Sequence, residues 1–344
     1  MKAKNIGVLG GGSFGTVIAN IIAKNGHNVL LWMRDADQVE ILNRDGQNTA
    51  YLPGFNLHDK IKAIQNLERA VAEADMVFVA VPSLGFRDVV RQIRPFVKDG
   101  TILVSLTKGI EAGTFKLMSQ ILSEEVPFSR VGVLSGPNLA KEIANSSPTG
   151  TVVASTHAEV RKSVQKTLRS PTFRVYTNDD ILGVELGGSL KNIYAILAGM
   201  AESRGMGHNT NSMLITRSLT EMVRFGLALG ADAMTFLGLS GVGDLIVTCS
   251  TPLSRNFRVG KALGEGKRIE TILTDLGQLA EGVNTLKQVI DKAKSLNIEM
   301  PLAQGLYEVI YNNEQIEHII SSLLSEERGL DVEFEAGQAK QLDH

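Results

Sequence analysis

Residues 5–32, NIGVLGGGSFGTVIANIIAKNGHNVLLW, leave the chain few folding options. NIGVL is a short apolar run, and a glycine cluster follows it without a spacer. Thr16 to Lys24 then carry apolar residues at helical spacing, Gly26 supplies a stop, and NVLLW reads as a second strand. Gly10, Gly12 and Gly15 form G-x-G-x-x-G inside this strand–turn–helix–strand unit. The first glycine suits a tight turn, the second lets the backbone approach a pyrophosphate, and the third allows close strand–helix packing. The helix amides then face the phosphates, so the unit predicts dinucleotide binding. A basic pair ahead of an apolar run also imitates a signal peptide, but there is no A-x-A cleavage site and three glycines interrupt the run.

The end of the second strand is where such folds meet the adenosine ribose. An acidic residue there selects the 2′-hydroxyl of NAD, whereas arginine accommodates the 2′-phosphate of NADP. The sequence offers both, as Arg34 and Asp35, and leaves the choice open. Further buried-strand runs follow at 74–82 and 101–109, with two more in RVGVLSGPNLAKEIA and TGTVVAS. This alternation predicts an α/β fold with a doubly wound, Rossmann-type parallel sheet over residues 1–180. Ligands on such sheets sit at the carboxyl ends of strands, which selects Pro82, Lys108 and the SGPN turn; Lys108 alone is equally compatible with a solvated loop cation. Beyond 181 the strand runs stop. Helical patterns cover 181–203, 211–229, 256–263, 276–294, 301–311 and 314–324, predicting an all-α C-terminal domain over 181–344. The last dozen residues are polar and expected to fray.

Composition excludes several functions. The formal net charge is −2, which argues against nucleic acid or anionic membrane as the main partner. No stretch approaches the about 20 unbroken apolar residues of a membrane span. Cys249 is the one cysteine, which rules out an intramolecular disulfide and a cysteine-rich metal site and fits a reducing cytoplasm.

A dinucleotide-binding domain followed by a helical domain suggests hydride transfer, and reduction of a ketone needs a proton donor for the developing alkoxide. The six histidines are scattered with no metal-like or paired spacing, and no metal is expected. In ELGGSLKNIYAILAGM, residues 185–200, Lys191 is the single cation among small and apolar residues. An unpaired buried ammonium is costly, and a desolvated lysine exchanges its proton more readily than a solvated one. The simpler alternative is an ammonium that snorkels to solvent. GVGDLIVTCSTPLSRNFRVGK, residues 241–261, places Asp244 in a glycine turn and Ser254, Arg255 and Asn256 at a helix start. Hydroxyl, guanidinium and amide there suit a phosphate or carboxylate. Ser254 also suits a helix N-cap, with Arg255 solvated. Asp244 is either a turn residue or a carboxylate that orients an ammonium.

The motifs GGSFGT, TKGIE, SGPNLAKE, GGSLKNIYAILAG, GLSGVGDLIVTCSTPLSRN and LAEGV occur in this order. Over residues 4 to about 325 the chain closely resembles the bacterial-type NAD(P)-dependent sn-glycerol-3-phosphate dehydrogenases. The resemblance implies interconversion of glycerol 3-phosphate and dihydroxyacetone phosphate, with NADP or NAD as cofactor, feeding phospholipid synthesis. It implies Lys191 as the catalytic proton donor and acceptor. Lys108, Gly136, Asn138, Asp244, Ser254, Arg255 and Asn256 fall on substrate positions. Ser13, Phe14, Arg34, Ala140 and Glu281 fall on cofactor positions, beside Gly10, Gly12 and Gly15, with Lys108 and Arg255 shared by both ligands. A small-molecule substrate, a cytoplasmic location and a homodimer follow from the same resemblance. The sequence departs from the family pattern at Phe14, where tryptophan or tyrosine is usual, at Asn138 (serine), at Ser189 (alanine) and at His208 (aspartate). Two other readings remain compatible with the residues: a related dehydrogenase acting on a hydroxy acid or ketopantoate, and a non-catalytic dinucleotide sensor.

Overall fold

The computed structural model describes residues 3–276 and 280–317. The end of the expected 314–324 helix, the expected frayed tail and Leu279 of the LAEGV motif lie outside the described residues. The chain forms two compact units, one from Met1–Lys108 and Lys116–Ile181, the other from Gly109–Phe115 and the residues from Leu182 onward.

In the first unit the strands are β1 (Asn5–Leu9), β2 (Asn28–Trp32), β3 (Gln47–Asn48), β4 (Leu52–Asn56) and β5 (Ile61–Ile64). They continue as β6 (Met76–Val79), β7 (Ile102–Ser105), β8 (Arg130–Ser135), β9 (Thr149–Ala154) and β10 (Phe173–Asn178). The helices between them are α1 (Ser13–Lys24), α2 (Ala36–Asp45), α3 (Leu67–Val71), α4 (Phe86–Ile93), α5 (Met118–Glu125), α6 (Ala140–Ala144) and α7 (Ala158–Leu168). Eight strands form one sheet in the order β10-β9-β8-β7-β6-β1-β2-β5, while β3 and β4 make a separate hairpin. Strand alternation divides the core. On β6, Met76 and Phe78 join a cluster with Val17 and Ile18 of α1 and Val160 and Val164 of α7. Val77 and Val79 of the same strand face Val90 of α4 and Ile121 of α5.

The fold is the expected doubly wound sheet with one difference: β8 and β9 pair antiparallel. Between them lies the five-residue α6. The chain re-enters the sheet at the end it left. After α7, β10 pairs with β9 in parallel again. Strand order reverses at β1, which has β6 on one side and β2 on the other, and ligands bind doubly wound sheets at such a reversal.

The second unit is built from α8 (Ile181–Ser203, apart from its first residue), α9 (His208–Ala228), α10 (Asp244–Cys249), α11 (Arg255–Gly264), α12 (Ile269–Leu276), α13 (Glu281–Ser295) and α14 (Pro301–Tyr311). α8 is long and apolar enough to cross a membrane, but 89% of its most apolar stretch is buried inside the protein. Its neighbours approach at backbone distance. A β-carbon on Gly260 of α11 would overlap the Ile196 carbonyl, and one on Gly187 would lie 2.5 Å from the Ser240 carbonyl oxygen.

A buried carboxylate ties α8 to two other helices. Tyr194 Oη on α8 donates to Glu221 Oε2 on α9 at 3.0 Å. The amides of Leu302 and Ala303, in the first turn of α14, donate to the same carboxyl at 2.6 and 3.3 Å. Glu221 thus caps a helix that its own chain segment leaves uncapped. Burial pushes its pKa up to about 7, against the two amides, the tyrosine hydroxyl and Arg224, which favour the anion. A carboxyl raised above its unfolded value contributes stability that is complete below about pH 4.5 and lost as pH rises through about 7. Glu221→Gln removes this titration. Denaturant unfolding should show the wild type losing up to about 3 kcal/mol relative to the variant between pH 5 and 8. A gap that does not change with pH would show a carboxyl fixed in one protonation state.

Candidate active site

In the first unit the glycine turn joins β1 to α1. Gly10 has φ +117°, and a β-carbon there would lie 2.6 Å from the Ala80 carbonyl oxygen at the end of β6. One on Gly15 would overlap the Gly10 carbonyl, which is the close strand–helix approach the spacing requires. A β-carbon on Gly12 would instead point into open space, the room a pyrophosphate needs. No side chain caps α1 and no acidic residue stands in its first turn. The open Gly12 position and an N-terminus without competing anions fit a dinucleotide phosphate.

Ser13 Oγ donates to the Tyr51 carbonyl at 2.7 Å, and Phe14 is half-buried against the core. Arg34 is exposed at the end of β2. Asp35 caps α2, accepting from the amides of Asp37 and Gln38 at 3.0 and 3.1 Å, so the neighbouring acid has structural work.

The SGPN turn leaves β8 through Gly136, whose φ is +145°. Lys108 Nζ donates to the Gly136 carbonyl at 2.9 Å, which places two of the expected substrate residues together. Asn138 Nδ2 donates to the Gly150 carbonyl at 3.3 Å, and the Thr151 hydroxyl lies 2.9 Å from Asn138 Oδ1. Its amide therefore secures the turn to β9. Ala140 opens α6 directly after.

In the second unit Lys191 is 7% exposed and does not snorkel. Its Nζ donates to Asp244 Oδ1 and to Thr248 Oγ1, both at 2.6 Å. An ammonium has three donors, so two are committed here. Asp244 is 1% exposed, and its buried charge is matched by the lysine. Here the sequence reading is corrected: Asp244 does not sit in a glycine turn. A π-helical turn, Leu239–Gly243, precedes it, and Asp244 is the first residue of α10. Thr248 stands one helical turn later on the same face, and its hydroxyl also bonds the Asp244 carbonyl at 2.5 Å. Thr248 is absent from the sequence-derived set. Burial pushes the neighbouring Cys249 thiol up to about 12, with Lys191 opposing the shift, so it is neutral at physiological pH.

At the start of α11, Ser254 is the N-cap, its Oγ accepting from the Phe257 amide at 3.3 Å. Arg255 follows with an exposed side chain. Partial enclosure lowers its pKa, and the carboxylate of Glu281, the first residue of α13, opposes that effect. Asn256 is 7% exposed, and its Oδ1 accepts from the Gly282 amide at 3.1 Å. A β-carbon on Gly282 would lie 2.5 Å from the Asn192 carbonyl oxygen, so α13 meets α8 next to Lys191 in sequence.

Comparison with known proteins places this geometry in context. Residues 5–161 match the family model for the NAD-dependent glycerol-3-phosphate dehydrogenase N-terminus, and residues 180–321 match that for the C-terminus. A glycerol-3-phosphate dehydrogenase [NAD(P)+] from Alcanivorax borkumensis is 54% identical over 333 residues, spanning 97% of each chain. The crystal structure of glycerol-3-phosphate dehydrogenase from Coxiella burnetii superposes with a TM-score of 0.90 at 35% identity, covering 94% of this chain and 99% of that one. A ketopantoate reductase from Ralstonia eutropha shares the fold, with a TM-score of 0.58 at 15% identity over 93% of this chain and 99% of that one.

Proposed function

Because the chain belongs to the NAD-dependent glycerol-3-phosphate dehydrogenase family, we propose that Lys191, held by Asp244 and Thr248, is the proton donor and acceptor of its reaction. The protein is an NAD(P)-dependent oxidoreductase that interconverts dihydroxyacetone phosphate and glycerol 3-phosphate. The buried Lys191–Asp244–Thr248 arrangement is the observation that carries the catalytic assignment.

In this proposal the first unit is the dinucleotide-binding domain. Gly10, Gly12 and Gly15 shape the phosphate turn, Ser13, Phe14 and Ala140 line the cofactor's path, and Arg34 meets the adenosine end. The second unit supplies the chemistry. A nicotinamide cofactor held by the protein would supply or take up the hydride at C2 of the substrate. Lys191 delivers a proton to the carbonyl oxygen in reduction and takes it back in oxidation. Asp244 keeps the ammonium in place through their ion pair, and Thr248 fixes its direction. Lys108, Gly136 and Asn138 are further substrate positions, supported by the family resemblance. Ser254 sets the helix start, where Arg255 and the amide nitrogen of Asn256 hold the phosphate. Arg255 and Glu281 also serve the cofactor. A cytoplasmic homodimer contributing to phospholipid synthesis completes the proposal, supported by the family resemblance.

Oxidation of NADPH and NADH followed with dihydroxyacetone phosphate and with dihydroxyacetone tests the reading. Rapid turnover is expected only with the phosphorylated triose. The cofactor preference has its own test. Arg34→Ala should weaken NADPH binding by about 1–3 kcal/mol, the range of a charge-assisted hydrogen bond, and leave NADH nearly unchanged. Equal loss for both cofactors would make Arg34 a structural residue.

A further inference from the structure

The β3–β4 hairpin has no part in the assignments above, yet it grips the glycine turn from behind. Asn48 of β3 is 3% exposed. Its Nδ2 donates to the Gly11 carbonyl and to Thr16 Oγ1, both at 2.8 Å, and its Oδ1 accepts from the Tyr51 amide at 3.3 Å. Thr16, on α1 and fully buried, donates its hydroxyl to the same Gly11 carbonyl at 3.3 Å. On another side of Gly11, a β-carbon would lie 2.5 Å from Met33 Cγ. The Gly11 carbonyl is thus held inward by two donors, and its residue is backed by a methionine.

Trans peptide geometry gives that grip a consequence. The carbonyl of Gly11 and the N–H of Gly12 belong to one planar unit and point in opposite directions. A carbonyl anchored toward Asn48 and Thr16 turns the Gly12 N–H away from them. A buried amide is costly to desolvate, and this one gives both N–H groups to orienting the turn. Resting on the dinucleotide reading given above, we propose that Asn48, seconded by Thr16, is a positioning residue that sets the Gly11–Gly12 peptide so that the Gly12 amide meets the pyrophosphate of the cofactor.

The test separates the pyrophosphate from the rest of the nucleotide. Calorimetry would measure NADPH, ADP-ribose and adenosine 2′-monophosphate, the last carrying no 5′-phosphate, on wild type, Asn48→Ala and Asn48→Asp. Thermal unfolding of each variant runs in parallel. Dissociation constants for NADPH and ADP-ribose should rise at least about tenfold, while that for adenosine 2′-monophosphate stays within about twofold. Kinetics with NADPH varied at saturating dihydroxyacetone phosphate should show the same split, with the cofactor KM raised and kcat largely kept. Thr16→Val should reproduce the pattern at smaller size and Thr16→Ser, which keeps the hydroxyl, should restore binding. That pair decides the question if the Asn48 variants fail to fold. Equal losses for both fragments, or unchanged ADP-ribose binding, overturn the proposal. A wild type that binds neither NADPH nor ADP-ribose overturns the dinucleotide reading itself.

Discussion

Lys191→Met should lower kcat by at least about 10²-fold, the lower range for losing a general acid–base group. Methionine keeps the length and apolar packing of the side chain but carries no proton. Cofactor affinity should change little, because Lys191 is not among the residues proposed to hold the dinucleotide, and the glycine turn lies between β1 and α1. The variant also strands Asp244, which is 1% exposed and loses its cation. Removing one partner of a buried pair typically costs about 3–5 kcal/mol, so the single variant should melt earlier. A second substitution separates the effects. Lys191→Met with Asp244→Asn removes both charges of the pair and should recover much of the stability, yet none of the turnover. Recovery of activity along with stability would reduce Lys191 to a structural residue. Near-parental kcat in the single variant would end the proposed mechanism outright.

How far the sequence revealed this site follows from the physics of its parts. The glycine turn was legible because steric demands at Gly10 and Gly15 can be met by few other residues. The central strands β6, β7 and β8 were legible because burial on both faces makes them continuous apolar runs. Edge strands gave a weaker signal. β10 buries Phe173 and Val175 but exposes Arg174 and Tyr176, and β5 interrupts its apolar run with exposed Lys62. A search for buried runs passes over both. The antiparallel return of β9 is set by the direction in which the chain re-enters the sheet, which hydrophobic pattern does not encode.

The same contrast holds within the active-site residues. Lys191 announced itself as a lone cation on an apolar helix. Its partners were harder to read because the glycines at 241 and 243 suggested a turn, whereas the backbone winds through them in a π-helical turn directly into α10. Read as a helix, Asp244 and Thr248 fall at i and i+4 on one face, and the threonine becomes a natural second partner for an ammonium. Ser254 satisfied both of its readings, since an N-cap hydroxyl also begins the helix that presents Arg255. Asn48 had no such sequence signal. Its role depends on a hairpin folding back on a turn 37 positions earlier.

Arg255→Ala should cut kcat/KM for dihydroxyacetone phosphate by roughly 10–200-fold. The estimate follows from about 1.5–3 kcal/mol for a lost hydrogen bond to a charged group, at about 1.4 kcal/mol per decade. Arg255 is the first residue of α11, so its guanidinium stands at the helix end where an anion is favoured, and Ser254 has already satisfied one amide there. Asn256 adds a neutral contact. Because its Oδ1 is committed to the Gly282 amide, the nitrogen is the end it has left for a ligand. Asn256→Ala should therefore cost less than Arg255→Ala. Lysine at 255 should rescue in part, since a point charge lacks the two-pronged guanidinium geometry. Dihydroxyacetone, with no phosphate to hold, should already be a very poor substrate and should change little further. Glu281 and the cofactor complicate the reading of a single rate, because Arg255 is proposed to serve both ligands and Glu281 acts electrostatically on it. NADPH affinity measured on the same variant apportions the loss. If both trioses fall by one common factor, the phosphate is held elsewhere, and the guanidinium serves the cofactor or the helix start alone.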